Sequence, residues 1–288
     1  MIILSNDLLS MGISPECGAF VVFFKYKDLD ILKSAPHQPQ SVRQATLFPI
    51  LPYCGHITDG KFTYFGITRQ IPPSNEYPPI NGDAWHASWQ VSRSTKTQAT
   101  FAYLHDKHTG GFPFNYEATL TYALVQNRLE ITLSIRNPGR LPLPCGMGVS
   151  MCFARKAEAV LSFTSTHIWH HDNTPIFDRP YETPKEWDFQ DGKTITEHFD
   201  TCFGGWNGQA IIEYPNEFQV QISALDIFHH LMLNTHSPTG NCFYLAPASN
   251  TPDAFNLASQ GVINTGIQSI GPGQSLTKTI VLTVDAKN

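Results

Sequence analysis

The chain has 288 residues, enough to bury about three quarters of its unfolded surface without disulfide or metal staples. Apolar residues make up 41% and charged residues 15%, a balance that excludes a disordered chain or a charge-rich coiled coil. With 19 basic against 24 acidic side chains the net charge is -5, so the chain lacks the excess positive field by which proteins hold nucleic acid or anionic lipid.

The opening Met1-Ile2-Ile3-Leu4 gives way at once to Ser5-Asn6-Asp7, so no secretory leader is expected. The longest apolar run, Phe20-Val21-Val22-Phe23-Phe24, is far short of the roughly 20 residues that cross a bilayer. The expected location is the cytoplasm, with no membrane partner. Cys17, Cys54, Cys145, Cys152, Cys202 and Cys242 include no C-x-x-C pair, which removes zinc-ribbon and thioredoxin-type readings and predicts reduced, mostly buried thiols. Residues 70–82 are proline-rich and residues 166–192 polar. Both are expected to be excursions from one domain spanning 1–288, since neither is uniform enough for a disordered linker.

Residues 116–136 carry the clearest pattern. Tyr116, Ala118, Leu120, Tyr122 and Leu124 alternate with polar residues, and Leu129, Ile131, Leu133 and Ile135 do the same. This predicts a half-buried hairpin, with Asn127 of Val125-Gln126-Asn127-Arg128 suited to a left-handed position. The same period of two marks residues 218–224 and 279–284, while no stretch sustains a helical repeat. The 21 prolines and 20 glycines fall between the alternating runs. Many short strands joined by turns predict an all-β sandwich or barrel.

Twelve histidines invite acid, base or metal chemistry. Adjacent His229 and His230 in an extended segment point to opposite faces, so they read as one surface and one core residue. His167, His170 and His171 cluster in sequence but lack the helical H-E-x-x-H spacing, and no metal is expected. Gly271-Pro272-Gly273 has no following lysine or helix, so it reads as a turn and not a phosphate loop. No G-x-S-x-G elbow is present. Trp85, Trp89, Trp169 and Trp206 flank polar segments, where flat rings are able to meet the C–H faces of a sugar.

Several stretches, in order, resemble the aldose 1-epimerase (galactose mutarotase) family. Residues 8–19, Leu-Leu-Ser-Met-Gly-Ile-Ser-Pro-Glu-Cys-Gly-Ala, look like its opening strands. Pro52-Tyr53-Cys54-Gly55-His56-Ile57 is similar to its Pro-Tyr…Arg-Ile segment, and Asn81-Gly82-Asp83-Ala84-Trp85 to its His-Gly…Trp segment. Gly148-Val149-Ser150-Met151-Cys152-Phe153 takes the place of Gly-x-His-Pro-Tyr-Phe. Asp200-Thr201-Cys202-Phe203-Gly204-Gly205-Trp206 looks like the aspartate segment, and Tyr244-Leu245-Ala246-Pro247 with Pro252-Asp253-Ala254-Phe255-Asn256 like the Glu-Pro…Asn segment. The resemblance implies a large antiparallel β-sandwich, the galactose mutarotase-like supersandwich, with a sugar cleft across one face, a monosaccharide or sugar derivative as partner, and no cofactor.

The resemblance also implies a mechanism in which a histidine protonates the ring oxygen while a glutamate takes the proton of the anomeric hydroxyl. Asn81 and Ser150 stand at the two matching histidines, Ala246 at the glutamate and His56 at the arginine; Asp200 keeps the aspartate. Amide, hydroxyl and methyl groups cannot cycle a proton near pH 7. Sugar contacts are therefore expected from His56, Asn81, Trp85, Ser150, Asp200, Trp206 and Ala246, with no catalytic set assigned. Three readings stay open: a sugar-binding protein impaired for standard mutarotation, an isomerase whose acid and base moved to groups such as His56, Asp83, His86 or Asp200, and a scaffold for partner binding.

Overall fold

The computed structural model describes residues 1–35, 45–72, 79–109, 111–169, 179–235 and 241–287. Two antiparallel sheets share one hydrophobic core. The ten-stranded sheet runs, in spatial order, Ile2–Ser5, Leu9–Ser14, Phe20–Tyr26, Leu47–Ile50, Gly148–Ala154, Cys242–Ala248, His230–Asn234, Asp200–Gly204 and His167–Ile168, with Leu29–Asp30 beside Phe20–Tyr26. The nine-stranded sheet runs Lys193–Thr194, Val160–Phe163, Gln209–Tyr214, Phe218–Ser223, Ser275–Ala286, Arg128–Arg136, Tyr116–Val125, Gln98–His105 and Gln90–Ser94. Of the sandwich and barrel that the alternation and turn pattern leave open this is the sandwich, in the large antiparallel form that the resemblance implies.

The two sheets bury their strands differently. In the nine-stranded sheet alternate residues face the core: Leu120, Leu133, Ile222 and Leu282 are fully buried. Their neighbours face water and pair hydroxyls across strands, Thr100 with Thr121 at 2.9 Å, Thr132 with Thr279 at 2.9 Å and Ser134 with Thr277 at 2.7 Å. Such same-face pairs support a sheet on its solvent side. The strand Gly148–Ala154 instead has six consecutive buried residues. Val149, Met151 and Phe153 pack into the core between the sheets, while loops cover the side of Ser150 and Cys152. That second cover frames the cleft described below.

Local expectations meet the structure with some corrections. In the hairpin turn the left-handed residue is Gln126, with φ 55°. Asn127 instead donates its Nδ2 to Val284 O and Asp285 Oδ1, both at 3.0 Å, tying the turn to the strand Ser275–Ala286. His230 is buried and His229 exposed, as alternation requires. His167 belongs to a two-residue strand, His167–Ile168; His170 and His171 lie outside the described residues. Among the described residues one short α-helix, Ala254–Ser259, forms. Five of the six cysteines are buried, and no disulfide joins them. No helix among the described residues is long and apolar enough to cross a membrane.

The strand Arg128–Arg136 offers a direct comparison of the two faces. Leu133→Ala removes a fully buried side chain and should cost about 2–5 kcal/mol, whereas Thr132→Ala on the water side should cost under about 1 kcal/mol. Urea denaturation of both variants checks the contrast.

Candidate functional site

A cleft of about 840 Å³ opens on the loop-covered face of the ten-stranded sheet. Its floor is a grid set by strand register. In one row Tyr244 pairs with Asn234, and Asn234 with Asp200; in the next Ala246 pairs with Met232, and Met232 with Cys202. Residues two apart on a strand share a face, so both rows point into the cleft, about 7 Å apart, with neighbours within a row about 4.8 Å apart. Ser150 and Ile50, on the next two strands, also line the cleft.

Three loops build the wall. The backbone of Gly55 is held by Asn81, whose N–H donates to Gly55 O at 2.8 Å and whose Oδ1 accepts from Gly55 N at 2.9 Å. Asn81 sits at φ 61°, a left-handed conformation that asparagine tolerates better than most residues. From the other side the Asp253 N–H donates to His56 O at 2.8 Å, and the Asp253 carboxylate accepts from Thr58 N at 3.0 Å and Thr58 Oγ1 at 2.8 Å. Asn250 brackets the preceding residue, donating Nδ2 to Cys54 O at 3.0 Å and accepting from Cys54 N at 3.2 Å. The backbone carrying His56 is therefore fixed on both flanks. At Gly82, φ is 73° and a methyl group would sit 1.9 Å from Leu51 O, so only glycine fits.

His56, Asn81, Ser150, Asp200 and Ala246, distant in sequence, all line this cleft. The two tryptophans do not. Trp85 packs among Phe20, Val22 and Phe48 and donates Nε1 to Gly82 O at 3.0 Å. Trp206 is 1% exposed in the main core and donates Nε1 to Gln209 O at 2.8 Å. Neither ring lines the cleft, because each buries its apolar faces and satisfies its one donor on backbone. Among the described residues the ring of Tyr244 does line it. It lies two residues from Ala246 and so shares its strand face, which the unalternating run 242–248 does not announce; Asn234 is visible only once the strand pairing is known.

Asp200 is exposed at the rim and accepts from Asn234 Nδ2 at 2.8 Å. Burial pushes the Cys202 thiol far above its usual range and Cys54 up to about 12, so both stay protonated near neutral pH. Asp83 and His86 are not among the lining residues. The Asp83 carboxylate accepts from Tyr116 OH and from Phe112 N, and lies 2.9 Å from His105 Nδ1. The other nitrogen, Nε2, is 2.7 Å from Phe112 O, so two acceptors face the His105 ring. Burial opposes its charge, but the Asp83 hydrogen bond and charge outweigh that and raise its pKa above 6.5. Among the described residues no group of three or more His, Cys, Asp or Glu is placed to hold a metal.

The fold has relatives among known structures. A crystal structure of an Escherichia coli K12 protein superposes with a TM-score of 0.89 at 22% identity, covering 99% of this chain and 98% of that one. A galactose 1-epimerase from Lactobacillus acidophilus NCFM gives a TM-score of 0.78 at 13% identity, over 99% and 94%. The uncharacterized protein YphB of Escherichia coli K12 is 22% identical over 98% of both chains. The family model for aldose 1-epimerase matches residues 1–228, and the chain belongs to that family. The matched span contains His56, Asn81, Ser150 and Asp200 and stops short of Ala246, which is placed by the cleft itself.

The bonds of the wall and the buried histidines each predict a change in stability. Asn81→Ala removes the acceptor for Gly55 N and puts alanine at a positive φ, and should lower unfolding free energy by about 2–3 kcal/mol, whereas Asn81→Gly should cost less; chemical denaturation compares them. Two histidines should bound stability against pH. His230, driven down to about 4 by burial, stays neutral in the fold while the unfolded chain takes a proton near 6.5, so stability falls from pH 6.5 towards 4, on the order of 3 kcal/mol. His105, raised, contributes stability that is complete below pH 6.5 and is lost as pH rises through its folded-state pKa. Denaturation midpoints across pH 4–9 should show both limbs, with His105→Gln flattening the alkaline one.

Proposed function

We propose that the cleft binds a monosaccharide or sugar derivative and does not carry out standard mutarotation. One observation carries the reading: the middle of the cleft floor holds Ser150, Ala246, Met232 and the protonated thiol of Cys202, none of which cycles a proton near pH 7. Polar groups at its margins, Asp200, Asn234, Asn81, His56 and Tyr244, supply the hydrogen bonds that orient a polyol in a largely apolar pocket. Asn81 has its oxygen engaged by Gly55, so it offers Nδ2 alone. A bound sugar at a hundredfold excess over Kd should add about 2.7 kcal/mol to stability, and Asp200→Ala should abolish that gain while changing the unliganded protein by under about 0.5 kcal/mol. Calorimetric melting measures the first, and NMR of a freshly dissolved anomer should show exchange at the buffer rate.

A second reading is favoured by one feature: His56, a group able to titrate near neutral pH, lines the same cleft as the carboxylate of Asp200. In that reading the protein is an isomerase with a relocated acid and base, and Asp83 drops out because its carboxylate is occupied by Tyr116, His105 and Phe112. Accelerated anomer exchange that disappears in His56→Ala would establish it and overturn the first.

A further inference from the structure

We infer that the ligand of this cleft is a glycoside with an apolar aglycone, not a free reducing sugar. The inference rests on the sugar-binding reading and adds the chemical class of the ligand. The two rows of the floor differ in character. Tyr244, Asn234 and Asp200 present hydroxyl, amide and carboxylate; Ala246, Met232 and Cys202, one step along the same strands, present methyl, thioether and a protonated thiol. Behind the second row Ala246 packs with Ile50, Cys54 and Ala248, and Met232 packs with Cys202 and Leu257, so the apolar character extends beneath and beside it. Ile50, Met232, Ala246 and Leu257 all line the open volume.

A free sugar is hydroxylated around its whole ring, and setting hydroxyls on the Ala246–Met232–Cys202 row would strip most of them of water without returning hydrogen bonds, since among the described residues beside that row only Ser150, on the next strand, offers a hydroxyl. A molecule polar at one end and apolar at the other satisfies both rows. At about 840 Å³ the cleft lies in the upper part of the range of about 300–1,000 Å³ that encloses drug-sized ligands, more than a single hexose ring fills. The sugar ring sits against Tyr244, Asn234 and Asp200, and the anomeric oxygen carries its substituent onto Ala246 and Met232. Such a ligand has no anomeric hydroxyl to deprotonate, so it needs no titrating group on that row.

The test is isothermal titration of the full chain with galactose, the methyl and octyl galactosides, the matching glucose series, and octanol, all below micellar concentration. The octyl glycoside of at least one sugar should bind at least tenfold more tightly than its methyl glycoside, equivalent to about 1.4 kcal/mol, and more tightly than octanol. Ala246→Glu, which sets a carboxylate in the apolar row, should reduce the octyl-to-methyl ratio below threefold, and Met232→Gln provides the same readout if the first variant does not fold. Equal octyl and methyl affinities alongside measurable sugar binding would overturn the inference and leave the sugar-binding reading intact. Octanol matching the octyl glycoside would also overturn it. Failure of every sugar and glycoside to bind would remove both.

Discussion

The ten-stranded sheet has two faces to cover and only one partner sheet. Its inner face is closed by the nine-stranded sheet, and its outer face, rich in small and sulfur-bearing side chains at Ser150, Cys152, Ala246, Ala248 and Cys202, is covered by loops. Loops carry backbone groups that need partners of their own when they leave water, so the cover comes with its own set of side-chain bonds: Asn81 on Gly55, Asn250 on Cys54, Asp253 on His56 and Thr58. Where the loops do not meet over the strands, the cleft remains. Site and fold are thus one arrangement, since the groups that pin the wall also set the backbone bearing the candidate ligand contacts.

The same asymmetry decides what the sequence reveals. The strands Tyr116–Val125, Arg128–Arg136 and Phe218–Ser223 have one face in water and one in the core, so polar and apolar residues alternate and the pattern is plain. Gly148–Ala154 and Cys242–Ala248 are covered on both sides and their composition follows two packing surfaces at once, which erases the alternation. Asn127 misleads for a related reason. Asparagine next to a turn suggests a left-handed backbone, but here its amide reaches a strand more than 150 residues away in sequence, a long-range demand that local reading does not contain.

The candidate site is legible through the order of short family-like segments, which is enough to group His56, Asn81, Ser150, Asp200 and Ala246 in one region of the molecule. It is not legible for the aromatics. Trp85 and Trp206 stand beside polar segments in sequence, yet large rings are worth most where they bury most area, and both turn inward. Asn234 and Met232 belong to the floor only because the strand His230–Asn234 lies between Cys242–Ala248 and Asp200–Gly204, a neighbour relation that no spacing along the chain encodes.

The strand Ser275–Ala286 lies in the interior of the nine-stranded sheet, between Phe218–Ser223 and Arg128–Arg136. Both neighbours leave the ribosome before it does, so during synthesis the two halves of the sheet must wait with unpaired edges facing each other across an open seam. Exposed edges of that kind template pairing with other chains. The nine-stranded sheet is therefore completed only when this late strand arrives.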